Sequence, residues 1–501
     1  MTDARAFAYD EVRYDTGAQE QTRPALLQTM AALHGVRAAS PARCRYLELG
    51  GGSGVNVMPL AAAYPESDFV VVDLAASAIA TGKKLVGEMD LDNVTLIQGD
   101  VTTPLEIGAF DYVVAHGVYS WIPDAVRTHL LAAARRHLAP AGVFYLSYNA
   151  QPGWQVVGVL RDLMERHVRG ETSPAVRVNR AMALVERVAA LEGTTGFTAA
   201  LRETASSFLR SVARAKRPED EFNHFVFHDA LAETNDAFYV RDVAERAERH
   251  GLRWFGSAAH ARVEARETFD ALAQSLHGKT TLPVERAALY AAQFDDAMAG
   301  TRFRRDLFVR ADLAGARDLD AAVADALYAT WRGAPPTTLL DGRLVRSDDA
   351  DLSELATSAF GVSALAAVRA AFPASMRVGD IAGERPAMLF DLLRAWGARV
   401  IDLSVEPPRF ARRIARAPRA SAFVRAAARR TVATALGEPC NVVNAFHETY
   451  VFPPEYAAVI ERLDGAHDRR ALAEAAGGGA RAAQLVDVVL DELFGVAALL
   501  D

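Results

Sequence analysis

The stretch that most constrains this chain is Arg45-Tyr46-Leu47-Glu48-Leu49 running into Gly50-Gly51-Gly52-Ser53-Gly54, followed by a second apolar run, Val70-Val71-Val72, that closes on Asp73. A short apolar strand ends in an acidic residue, a glycine turn follows, and Val55, Val57, Met58 and Leu60 then recur at helical spacing. This is the opening strand, loop and helix of a nucleotide-binding α/β domain, in which glycines let the backbone turn sharply and approach a ligand closely. The spacing also separates ligands. A dinucleotide fingerprint needs glycine or alanine three residues after Gly52, and Val55 stands there. A P-loop needs Lys and Ser or Thr after its last glycine, and Gly54 is followed by Val55 and Asn56. What fits is Glu48-x-Gly50-x-Gly52-x-Gly54, with Asp73 at the next strand end to take ribose hydroxyls.

The alternation continues. Helix is predicted over 76–88, strand at 94–97 leading to Asp100, strand at 110–115, helix over 123–138 opened by proline, and strand at 143–148. Strands separated by helices of this length imply a parallel sheet covered on both faces, with the ligand outside the carboxyl ends of its strands. From Gln155 the chain turns helical and rich in alanine and arginine, broken at Thr172-Ser173-Pro174 and again at 193–196. Further strands are predicted at 252–255 and 306–309, and helices over 242–249 and 268–298. The expected fold is α/β, a Rossmann-like parallel sheet with helical insertions, followed by two smaller winged-helix-like α+β units. The boundaries are 1–312 for the nucleotide-binding domain, with 155–236 as a helical insertion, 313–435 for a middle unit and 436–501 for the last.

Composition narrows the function classes. A formal net charge of −8 gives no general attraction to nucleic acid or to an anionic membrane, although eight arginines crowd 409–430. Cys44 and Cys440 stand far apart and fit a reducing cytoplasm. No basic-then-apolar leader and no long uncharged apolar run are seen, so membrane insertion is not expected. His224 and His228 share helical spacing, but no cysteine lies near and only Asp229 is adjacent, so no metal site is expected.

The acidic-glycine loop resembles that of class I S-adenosylmethionine methyltransferases, whose cofactor carries no pyrophosphate. The likeness runs further. Tyr9-Asp10-Glu11-Val12 with Gln21-Thr22-Arg23-Pro24, the run His116-Gly117-Val118-Tyr119-Ser120-Trp121-Ile122-Pro123, and Ser147-Tyr148-Asn149-Ala150-Gln151-Pro152-Gly153-Trp154 resemble the bacterial methyltransferases that carry a regulatory domain, among them the rickettsial protein lysine methyltransferases. The resemblance implies S-adenosylmethionine as cofactor, N-methylation of lysine in a protein or peptide substrate, a middle regulatory domain, and a homodimer. One segment departs from the family pattern: an aromatic-proline run before the Gln-Thr pair is replaced here by Asp15-Thr16-Gly17-Ala18-Gln19-Glu20.

On this reading the cofactor lies on Glu48, Gly50, Gly52 and Gly54, with Asp73 on the ribose, Asp100 near the adenine, and Ala115 and His116 beside the methionine moiety. Methyl transfer is an in-line displacement, so the protein chiefly aligns the nucleophile and excludes water. His116, Tyr119, Trp121 and Tyr148 fall on the two loops expected to face the methyl group and are the candidate catalytic residues. Tyr14, Asn149 and Trp154 are the candidate acceptor contacts, aromatic faces suiting an amine or methylated ammonium. His116 serves either as a base or as an orienting group. The alternatives are a small-molecule methyltransferase, with the insertion as a lid, and a cofactor-binding regulatory protein without turnover.

Overall fold

The computed structural model describes residues 17–215, 223–258, 284–313, 321–332, 338–340, 343–345, 352–383, 385–433 and 439–501. Tyr14 and the first part of the helix expected over 268–298 lie outside the described residues. The central sheet comprises β1 (Arg45–Leu49), β2 (Asp68–Asp73), β3 (Val94–Gln98), β4 (Phe110–Ala115), β5 (Leu138–Ala150), β6 (Ala237–Phe238), β7 (Leu252–Ser257) and β8 (Phe303–Arg310). Its order is β3-β2-β1-β4-β5-β8-β7, with β6 paired to the end of β5. β1 to β5 run parallel, whereas β8 lies antiparallel to both β5 and β7. The sheet is therefore mostly parallel, with one reversed strand that the apolar pattern could not reveal, because burial on both faces reads the same in either direction.

Side-chain alternation divides the core. Leu47, Leu49, Val113, Phe144, Leu146 and Tyr148 enter one layer with helix α4 (Asp124–His137) and helix α8 (Val240–Glu248). Tyr46, Val71, Tyr112, Val114 and Tyr145 enter the other with helix α1 (Pro24–Leu33). Helix α2 (Met58–Ala63) follows the glycine turn, and helix α3 (Ala76–Met89) follows β2. Three helices form the insertion: α5 (Trp154–His167), α6 (Pro174–Ala189) and α7 (Gly196–Ala215). They share an apolar core of Leu160, Met164, Val178, Val185 and Ala205. Ser173 caps α6 by accepting from the Val176 N–H, and Pro174 opens it, as a Ser-Pro break favours. Helix α9 (Val284–Ala299) then leads to β8.

The remaining chain does not stand apart. The sheet of β9 (Tyr328–Trp331), with strands Met376–Arg377 and Ile401–Ser404 on its two sides, packs its Ala329, Trp331, Ile401 and Leu403 into the same cluster as α1. One core spans the boundary expected at 435: Phe423, Val424 and Ala428 of helix Ala422–Ala433 pack with Tyr450, Phe452, Val489 and Leu493. Arginine crowding around 409–430 masks these apolar positions in the sequence. The same core takes in Met58 at the start of α2 and Met89 at the end of α3. No helix among the described residues is long and apolar enough to cross a membrane.

Candidate active site

The glycine turn leaves β1 between β2 and β4, where the strand order reverses. Gly50 has φ +72, and a Cβ there would sit 2.5 Å from Val118 Cγ2, so the turn is pressed against the loop after β4. Gly52 has φ +56 with nothing within 4 Å of a would-be Cβ, which leaves bare backbone facing open space. Gly50 N–H donates to Val72 O at 2.7 Å, and Gly52 N–H donates to Asp73 Oδ2 at 2.7 Å. The other Asp73 oxygen accepts from the Ala75 N–H at 2.8 Å. The carboxylate thus fixes both loops of the rim.

A cavity of about 550 Å³ opens from this rim and runs beneath the insertion. Its loop end is lined by Gly50, Gly52, Asp73, Asp100 and His116. Its insertion end is lined by Trp121, Asn149, Trp154, Leu160, Met164, Phe208, Phe225 and His228, with Phe303 from β8. The insertion therefore contributes wall to the cavity, and Gln19, from the N-terminal segment that departs from the family pattern, lines it too.

The expected residues divide into those that reach the cavity and those that do not. Gly50, Gly52, Asp73, Asp100, His116, Trp121, Asn149 and Trp154 line it. Glu48, Gly54 and Ala115 are not among its lining residues, Glu48 and Ala115 being buried at the strand ends. Glu48 Oε1 accepts from Asn56 Nδ2–H at 2.8 Å, while Oε2 has no hydrogen-bond donor among the described residues. Burial, aided by the nearby Asp73 charge, pushes its carboxyl up to about 7 despite the bond from Asn56. Tyr119 and Tyr148, expected at the methyl group, do not line the cavity: both are fully buried and pack with Phe238 in one core layer of the sheet. The Tyr148 hydroxyl donates to buried Asp306, which Arg304 also grips.

His116 follows β4 and stacks near Tyr145, whose hydroxyl lies 2.9 Å from Nδ1, while Gly117 N–H donates to Ser147 Oγ at 2.8 Å. Burial, with the Arg305 charge nearby, pushes the imidazole down to about 3, so it is neutral near pH 7. Asn149 is held by its own backbone N–H donating to Ser120 Oγ and by its amide donating to Asn235 Oδ1, each at 2.8 Å. Trp121 Nε1–H is buried without an acceptor among the described residues. Phe208, Phe225, His228 and Phe303 were missed in the sequence because they arrive from distant segments. For Phe225 and His228 the aromatic content of 223–228 was the available signal.

Comparisons with known proteins agree with this geometry. The methyltransferase domain family matches residues 47–144, and the family described as "Predicted methyltransferase regulatory domain" matches residues 223–310, which hold β6 to β8. An uncharacterized protein of Rickettsia prowazekii is 34% identical over 248 residues, covering 49% of this chain and 43% of that relative. A second from the same organism is 30% identical over 244 residues, covering 48% of this chain and 94% of the relative. The chain thus spans less than half the length of the first relative and nearly all of the second. The structure of PKMT2 from Rickettsia typhi superposes with a TM-score of 0.76 at 20% identity, over 97% of this chain and 100% of that one. The same protein in complex with AdoHcy gives 0.75. This chain belongs to the class I S-adenosylmethionine-dependent methyltransferases that carry a regulatory domain.

Proposed function

We propose that this chain methylates the side-chain amine of lysine in a protein or peptide. The observation that carries the reading is the continuity of one cavity from the glycine rim to an aromatic end under the insertion. The bare backbone at Gly52 and the Asp73 carboxylate suit the sugar and amino-acid end of S-adenosylmethionine, which supplies an electrophilic methyl group when bound. Gly50, Gly52, Asp73 and Asp100 are assigned to the cofactor.

The acceptor's side chain is assigned to Trp121, Trp154 and Phe303, whose faces suit an amine or its methylated ammonium. A lysine has an ordinary pKa of about 10.4, and an apolar aromatic wall favours its neutral, nucleophilic form. Neutral His116 is a weak base with Nδ1 engaged by Tyr145, so it orients the acceptor loop rather than carrying the proton away. The overall likeness to PKMT2 of Rickettsia typhi fits a protein acceptor. We place the enzyme in the cytoplasm, where unpaired Cys44 and Cys440 are stable as thiols.

The enclosed insertion end also favours a second reading, a small-molecule acceptor with the insertion as lid. Purified protein, labelled cofactor and a lysate fraction separate the two. Label in protein bands, retained as methyl-lysine after hydrolysis, supports the proposal. Label only in the organic extract contradicts it.

A further inference from the structure

The back of the glycine turn is reached by a residue from the far end of the chain. Strands Cys440–Val443 and Thr449–Phe452 form an antiparallel hairpin, and His447 stands in its connection with φ +62. Asn444 braces that connection, its Oδ1 accepting from the Phe446 and Glu448 N–H groups at 2.9 Å each. His447 is 3% exposed, and its Nε2 lies 3.0 Å from Asn56 Oδ1. The amide orientation of Asn56 is set by its other bonds: Oδ1 accepts from Gln19 N–H at 2.8 Å, and Nδ2–H donates to Glu48 Oε1 at 2.8 Å. Facing a carbonyl oxygen, Nε2 of His447 is therefore the donor. Glu48 in turn lies directly under the turn, its Oε2 being 3.0 Å from where a Cβ on Gly51 would stand. A second contact joins the same part of the chain to α3 at its far end: Arg429 Nη2 donates to Glu88 O in the last turn at 3.2 Å.

We propose that His447 is a positioning residue for cofactor binding: through Asn56 and Glu48 it holds the turn from Glu48 to Gly54 in the shape that receives S-adenosylmethionine. This rests on the cofactor reading of the turn and not on the identity of the acceptor. Cofactor occupancy and seating of the C-terminal hairpin are then thermodynamically linked, each strengthening the other.

Calorimetric titration of the full-length chain with S-adenosylmethionine tests it. His447→Leu is expected to weaken binding about tenfold, the loss of one buried hydrogen bond in a shared network. His447→Gln, which can present an N–H near the Nε2 position, is expected to stay within about threefold of the wild type. Binding by His447→Leu equal to the wild type, or an equal loss in both variants, overturns the proposal. Should His447→Leu not fold, amide hydrogen exchange on the wild type decides: slower exchange at 444–448 on adding cofactor is expected, and unchanged exchange overturns the proposal. A wild type that binds no cofactor would instead remove the reading of the turn itself.

Discussion

The two ends of the cavity are built by opposite means. At the loop end, strand ends and a glycine turn fix the wall through backbone, with Asp73 tying Gly52 to Ala75. At the insertion end, side chains from α5, α7, the segment after α7 and β8 meet across long sequence separations. The first kind of wall is dictated locally and tolerates little change. The second is a convergence of separate elements, which gives room for acceptor choice to vary while the cofactor end stays put.

Substitution should separate the ends, most sharply at Asp73. Asp73→Ala removes the carboxylate assigned to the ribose, whose two oxygens accept from the Gly52 and Ala75 N–H groups. We expect cofactor affinity by calorimetry to fall about a hundredfold or more, as loss of a charge-assisted contact set implies. Unchanged affinity would break the distinction between the ends.

Glu48 gives the next effect and involves no ligand. Its carboxyl is raised from 4.5 to about 7 by burial, so the folded state holds the proton more tightly than the unfolded chain. Stability therefore falls as pH rises from about 4.5 through 7. Glu48→Gln should gain relative to the wild type by on the order of 3 kcal/mol between pH 5 and pH 8 in urea denaturation. A difference independent of pH would show that Glu48 is not the strained group.

At the insertion end, Trp121→Ala should lower kcat/KM for the acceptor about tenfold to thirtyfold, with cofactor affinity within about threefold of the wild type. An effect on cofactor affinity alone would move Trp121 to the other end. Tyr148→Phe is the smallest change. It should cost about 1 kcal/mol of stability through the lost bond to Asp306 and leave kcat/KM unaltered. A selective loss of turnover would return Tyr148 to the site.

That contrast also explains what the sequence disclosed. The rim was legible because a local rule fixes it: strand, acidic residue, glycines, helix, and Asp73 one strand on. Trp121, Asn149 and Trp154 were reachable because loops after parallel strands converge at one edge. The burial of Tyr148 was available from its phase. In β5 it shares a face with Phe144 and Leu146, both core residues, whereas Ser147 and Asn149 lie on the face of Tyr145. Tyr119 offered no such phase, since it lies in the short turn of helix Tyr119–Trp121 whose neighbours Phe238 and Arg127 come from elsewhere. Phe208, His228 and Phe303 were beyond local reasoning, as was His447, which meets the turn only after the whole chain has folded back.

A crystal structure of the full chain with S-adenosylhomocysteine tests the central claim most directly. The account predicts ribose hydroxyls on Asp73, bare backbone of Gly52 against the ligand, and the sulfur facing Trp121 and Trp154. Ribose bound away from Asp73, or a sulfur turned from the insertion, would contradict it.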